Sequence, residues 1–473
     1  MKLHMASLEI LLKRFTTLLM LAACCPSGAL LAQNTAPNAP APLPQGGLQI
    51  ASVSAYAVYE SSFLPTGASF QTGVNNLPYD VGFGGSIAVR WTKFSERSTF
   101  ALNYTPSYVG YARNSNLNAL NHSFSLTASR KIAPRWTFTF ALTGNLSTTD
   151  QFLFAPTALG NVAAVSSTFN DLASGLLAGK FANNPLLGTV LTRSPLLLSP
   201  VSNLLYGQRM FTASAQTTLS YSYSPRLSLT FAGGGSRSQY LSTNQPPAGG
   251  RGSFLTDTTS GNASAGFSYS LSPFTQIGGS ADSTRTASSF FDAYTTTSQL
   301  TLGRTLNRRW ILQAHGGVGI TTIVRTSVSA VPTEPRPIFG GSLAYKTLSH
   351  TFIGSYDRST VDSYGLGAST TSSSNAAWRW QRPGRSWWIT AGFGWQQLTG
   401  GAVENITGWQ SSAGVNRAIG SHVVLQTQYA YLNYSGNPQG APISGSPLGS
   451  AYSSSQHAVR LALTWMPQSA ITR

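Results

Sequence analysis

The chain has 473 residues, of which only 9% are Asp, Glu, Lys or Arg, with a mean hydropathy of −0.02 and a formal net charge of +17. Ordinary soluble proteins carry roughly 25% charged residues, so the composition argues against a string of soluble domains, whose surfaces need more charge. The missing charge is not replaced by long apolar runs: aromatic residues make up 11%, and Gly, Ser, Thr, Asn and Gln fill the gap. A lipid-facing skin around a wet lumen has this composition.

Residues 1–32 read as an export signal, with Lys2, Lys13 and Arg14 ahead of the apolar stretch Phe15 to Ala23, which is too short to span a bilayer. Two cleavage sites compete. Leu21-Ala22-Ala23-Cys24 has the form of a lipobox, in which Cys24 would become the lipidated first residue; ordinary cleavage after Ala32 is the alternative, with Leu30 where a small residue is preferred. Both cysteines, Cys24 and Cys25, lie here, so the rest of the chain has no disulfide or thiolate chemistry. Residues 33–47 form a Pro-rich periplasmic linker.

From about residue 48 a unit recurs in which an alternating strand meets a tight turn and a second alternating strand follows. The turns fall at Ser95-Glu96-Arg97, Ala133-Pro134, Ser224-Pro225, Ser272-Pro273, Asn307-Arg308, Leu348-Ser349, Pro383-Gly384 and Ile419-Gly420, at intervals of 35 to 48 residues with one of 91. Each interval accommodates two membrane strands and an outer loop. Phe100, Leu102, Tyr104 and Tyr108 alternate with Thr99, Ala101, Asn103 and Thr105; Trp136, Phe138, Phe140 and Leu142 alternate with Thr137, Thr139, Ala141 and Thr143. A soluble sandwich would carry Lys and Glu on its polar face, whereas Ser, Thr, Gly and Asn here predict a lumen. Eight turns give sixteen strands. Two terminal strands, about 50–59 and 457–465, bring the expected fold to an all-β, antiparallel up-and-down transmembrane barrel of about 18 strands over residues 48–466, with a tail at 467–473. The first strand separates poorly, since Val53, Ala55 and Ala57 oppose Ser54, Tyr56 and Val58. Short turns would face the periplasm and long loops the outside, at roughly 60–81, 111–118, 148–208, 238–256, 286–293, 325–337, 357–367, 397–408 and 435–454.

Trp91, Trp136, Trp310, Trp378, Trp380, Trp387, Trp388 and Trp465 gather near the turns or the C-terminus, as a periplasmic aromatic girdle would, with a sugar-binding track as the rival reading. Trp395 and Trp409, taken as outer-loop residues, are better placed for ligand contact. Fourteen Lys and Arg, from Lys93 to Arg417, ring the same turns and suit anionic phospholipid headgroups, with weak steering of anionic solutes as a secondary effect; no basic helix or groove-reading motif points to nucleic acid. Five scattered histidines outside the signal, no metal-ligand pair, no nucleophile elbow and no phosphate loop argue against an enzyme, a metal or a cofactor.

Through its hairpin repeat, girdle and export signal the chain resembles outer-membrane barrels of the porin type over about residues 48–466, a likeness of architecture rather than of one family. It implies a passive channel for small hydrophilic solutes. The inward charges Arg90, Asp282, His315 and Arg460 would tune it weakly toward anions, unless each is paired within the wall. The 61-residue third loop, rich in Leu and Phe, would fold at least partly inward as a constriction bearing Asp171, Lys180, Arg193 and Arg209. Expected partners are outer-membrane lipid, the barrel assembly machinery and, left open, further copies of the chain. Porin-like chains end on an aromatic residue, whereas eight residues follow Trp465 here. Two other classes stay open: an export or assembly barrel for a surface polymer, and a surface adhesin or receptor.

Overall fold

A computed structural model describes residues 47–61, 79–113, 118–148, 209–241, 257–288, 291–307, 309–326, 335–362, 368–399, 406–436 and 452–467. Residues 1–46, expected to hold an export signal and a linker, most of the expected tail at 467–473 and the segment 149–208 lie outside the described residues.

Among the described residues eighteen strands follow one another: β1 (Gly47–Ser61), β2 (Tyr79–Phe94), β3 (Ser98–Tyr111), β4 (Ala119–Ala133), β5 (Trp136–Thr148) and β6 (Arg209–Ser222). Next come β7 (Leu227–Tyr240), β8 (Thr258–Ser272), β9 (Thr275–Ala287), β10 (Phe291–Thr305), β11 (Trp310–Thr326) and β12 (Pro335–Lys346). The last six are β13 (His350–Asp362), β14 (Ala368–Trp380), β15 (Trp387–Thr399), β16 (Ile406–Ile419), β17 (Val423–Gly436) and β18 (Tyr452–Trp465). Every strand pairs antiparallel with its chain neighbours, and β1 pairs with β18 from Val53↔Trp465 to Glu60↔Ala458, closing the sheet. Closure removes both sheet edges and leaves no ladder group to face lipid. The architecture is that of an all-β up-and-down barrel with 18 strands.

All eight tight turns fall where the sequence places them. The strands, at 12 to 17 residues, exceed the roughly 9–11 that a tilted strand needs to cross the hydrocarbon core, so they project beyond it. Several predicted loops are therefore partly strand: β1 runs to Ser61, β2 starts at Tyr79, and β13 extends to Asp362.

Partners in an antiparallel pair share a face, so the registers sort every strand into an inward and an outward row. Outward rows bear large apolar side chains such as Phe83, Ile87, Phe231, Leu300, Val415 and Leu461, all exposed on the isolated chain. The muddled pattern of β1 has a local cause. Its register against β2 shifts between Ile50 and Ser52, leaving Ala51 without a partner, a bulge that reverses the face of everything before it. Leu48 and Ile50, 75% and 45% exposed, thus point outward with odd-numbered Val53 and Tyr59. Pro106 of β3 has no partner on β2, as expected for a residue without an N–H to give the ladder.

Aromatic rings cluster outward at both rims. At the short-turn rim Trp91 meets Phe100 edge-on at 5.0 Å, Trp136 meets Tyr221 at 4.5 Å, Trp310 meets Tyr345 at 4.4 Å, and Trp380 meets Trp387 at 5.0 Å. At the long-loop rim Tyr59 stacks on Tyr79 at 6.0 Å, Trp409 meets Tyr431 at 4.9 Å, and Tyr431 meets His457 at 4.7 Å. Amphipathic rings at two levels, with an apolar band between them, are the mark of a barrel that spans a bilayer.

Candidate functional site

The inward rows are the candidate site, and alternation alone builds them. Among the described side chains of β5 to β8 they consist of Thr, Ser, Gly, Ala, Asn and Gln, with none that carries a charge. Hydroxyls pair across strands, Thr143 with Ser214 at 2.6 Å and Ser236 with Ser260 at 2.7 Å, so the wall presents a continuous sheet of small donors and acceptors.

Registers place Arg90, Asp282, His315 and Arg460 in inward rows on β2, β9, β11 and β18. They do not converge on one centre. Arg90 donates from Nε to Asn103 Oδ1 at 2.9 Å, and Asn103 donates onward to Ser125 at 3.3 Å, a polar chain across three strands. Asp282 accepts a hydrogen bond from the Thr297 hydroxyl. The Arg460 guanidinium lies 4.2 Å above the Tyr56 ring, a cation–π contact between adjacent inward rows.

His315 has an acidic neighbour, with its Nε2 3.1 Å from Asp357 Oδ1. The two residues sit on β11 and β13, and the side chains bridge over Gly340 of the intervening β12. A Cβ at position 340 would fall 2.6 Å from His315 Cε1, so only glycine leaves the pair room to meet. Asp357 falls in the predicted loop 357–367 but belongs to β13, in the same inward row as Ile353 and Ser355.

Three further groups escaped the sequence reading. Glu60 and Asp80 are register partners at the long-loop end of β1 and β2, each 1% exposed. Tyr111 donates its hydroxyl to Glu60 at 3.2 Å, and Asp80 accepts from the backbone N–H of Val81 at 2.7 Å and of Arg113 at 3.1 Å. These carboxylates tie together the ends of three strands. Arg379, counted with the turn cations, faces inward from β14, donates to Gln381 at 2.5 Å and lies 5.0 Å from the Trp388 ring.

The registers also correct several placements. Trp388 does not belong to the girdle: consecutive strand residues face opposite sides, so Trp387 points to lipid and Trp388, opposite Asn416, points into the lumen. Trp91, Trp136, Trp310, Trp378, Trp380, Trp387 and Trp465 occupy outward rows near the short-turn rim. Trp395 and Trp409 are not loop residues but an outward register pair on β15 and β16, part of the second girdle. Arg209 does not stand at a constriction. It opens β6 in the outward row and donates to the Leu120 carbonyl at 3.1 Å. Asp171, Lys180, Arg193 and Cys24 lie outside the described residues. Among the described residues no three His, Cys, Asp or Glu side chains come together as metal ligands.

A closed 18-stranded ring with an apolar skin, two girdles and a polar inward row defines a transmembrane barrel of porin-type architecture. No protein-family model matches the chain, and no curated protein matches it. Similar solved structures include OpdO of Pseudomonas aeruginosa, 11% identical with a TM-score of 0.41 over 89% of this chain and 96% of that one. A BenF-like porin of Pseudomonas fluorescens Pf-5 is 8% identical with a TM-score of 0.41 over 89% and 98% of the two chains. The ferric enterobactin receptor PfeA of Pseudomonas aeruginosa is 9% identical with a TM-score of 0.41 over 89% and 82%. At these values the likeness carries no argument, and the fold rests on the barrel's own hydrogen-bonded closure.

Proposed function

We propose that the protein is an outer-membrane channel for passive diffusion of small hydrophilic solutes, with a weak preference for anions. The observation that carries this reading is the uncharged, hydroxyl-rich inward wall of β5 to β8 in a ring of eighteen strands. Barrels of that size enclose more space than wall side chains fill, and Ser, Thr and Asn solvate a solute without holding it. Arg90, Arg379 and Arg460 on the inward rows support the anion preference; Asp282 and the His315–Asp357 pair temper it.

The test is insertion of the purified, heat-modifiable barrel into planar bilayers under a KCl gradient. Stepwise conductance with a reversal potential on the chloride side is the expected result. A folded barrel without conductance would leave the adhesin or receptor reading in its place. The narrowing expected of residues 148–208 is part of the same proposal: removal of about residues 160–200 should raise the conductance.

A further inference from the structure

The charge of this chain is gathered at one end of the barrel. Among the described residues, strand ends and turns on the short-turn side carry thirteen Lys and Arg against a single acid, Glu96, whereas the opposite strand ends carry six against five. Along the inward rows Arg90 and Arg379 stand within a few residues of the short turns, Asp282, Asp357 and Arg460 stand mid-strand, and Glu60, Asp80 and Arg336 stand at the long-loop ends of their strands.

The contacts of the two mouths differ in kind. Arg90 is held by Asn103, and Arg379 by Gln381 and Trp388, neutral groups that orient a guanidinium and leave its charge in place. At the long-loop end opposite charges meet on the outward side of the strands: Arg285 with Asp292 at 2.9 Å and Arg237 with Asp257 at 3.7 Å. The turn residues Arg226, Arg309, Arg382 and Arg385 are exposed beyond the strand ends.

We infer that the barrel is an electrostatically polarised conduit, whose short-turn mouth gathers small carboxylate- or phosphate-bearing anions so that ion flow is unequal in the two directions. The inference rests on the channel reading above and adds a direction to it: with short turns in the periplasm, anionic solutes load from the periplasmic side. A rim of one sign around a low-dielectric opening raises the local concentration of counter-ions. The effect reaches about 10 Å at 0.1 M salt and about 3 Å at 1 M, so it spans much of the mouth only when salt is low.

The experiment uses the full barrel inserted in one orientation, fixed by protease cleavage at a tag in the 238–256 loop, with current compared at equal and opposite voltages. At about 50 mM KCl the polarity that drives chloride in through the short-turn mouth should carry about twice the current of the other, and the ratio should approach one at about 1 M. The variant R226Q/R309Q/R382Q/R385Q alters only turn residues; it should bring the low-salt ratio close to one while leaving the high-salt conductance unchanged. Equal currents from the wild type at low salt, or an asymmetry that survives the four substitutions, would overturn the inference. A folded barrel with no current at any salt would overturn the channel reading itself.

Discussion

The wall from β5 to β8 and the wall from β16 through β18 to β3 obey the same alternation yet are built for different ends. On the first, no described residue is buried and the inward side chains are small and hydroxylated. On the second, Ala458 is 0% exposed and Val109 2%, Glu60 and Asn416 are as deeply covered, and the inward row includes Tyr56, Val58, Leu432 and Arg460. One arc is a wetted surface; the other is a packed one, with Arg460 on Tyr56 and Tyr56 against the cluster of Val109, Tyr111 and Ala119. Facing the lumen therefore does not require being polar: where inward side chains touch one another, apolar and charged groups can share a row. A further consequence is mechanical, since packing stiffens the arc that holds the β1–β18 closure while the hydroxylated arc is left smooth.

Paired substitutions break or sharpen this contrast. The largest effect is expected for Ala458→Leu, which forces three carbon atoms into a site without exposure and should cost about 3 kcal/mol in denaturant unfolding in detergent; Ala232→Leu, an inward alanine on the open arc, should stay within about 0.5 kcal/mol. Equal losses at the two sites would abolish the distinction. Next comes Tyr111→Phe, which removes the hydroxyl given to buried Glu60 and should cost about 2 kcal/mol, seen as a lower temperature for the heat-induced gel shift. Smallest is Ser236→Ala, since Ser260 loses a partner but keeps access to water; the expected change is about 0.5 kcal/mol or less, and a loss as large as that of Tyr111→Phe would show that the hydroxyl arc is packed after all.

How much of this was legible in the sequence follows the same division. On β5 the two rows separate at a glance, because Thr and Asn face in while Trp, Phe and Leu face out, and the strand bounds follow. All eight tight turns were readable because Pro, Gly, Asn and Ser break the alternation there. β1 was not readable, for two physical reasons: a bulge at Ala51 reverses the phase, and Tyr56 and Val58 are apolar residues that face inward to pack. Of the lumen charges, those flanked by clear alternation were placed by parity alone. Asp357 was missed because its strand runs farther out than a minimal membrane strand, and its partnership with His315 across Gly340 depends on a register between β11 and β13 that no local pattern carries. Trp388 was misassigned by proximity to a turn, where parity with Trp387 would have separated them.

The central claim, a wet lumen lined by one row of each strand, is tested most directly by single cysteines placed along β8, in a chain with Cys24 and Cys25, its two cysteines, substituted. Asn262, Ser264 and Gly266 lie in the inward row and Ala263 and Ala265 in the outward one. In the folded barrel in liposomes, a charged membrane-impermeant thiol reagent should label positions 262, 264 and 266 and reduce conductance, and should leave 263 and 265 unlabelled. Labelling without this period of two, or protection of all five positions in a folded barrel, would contradict the account.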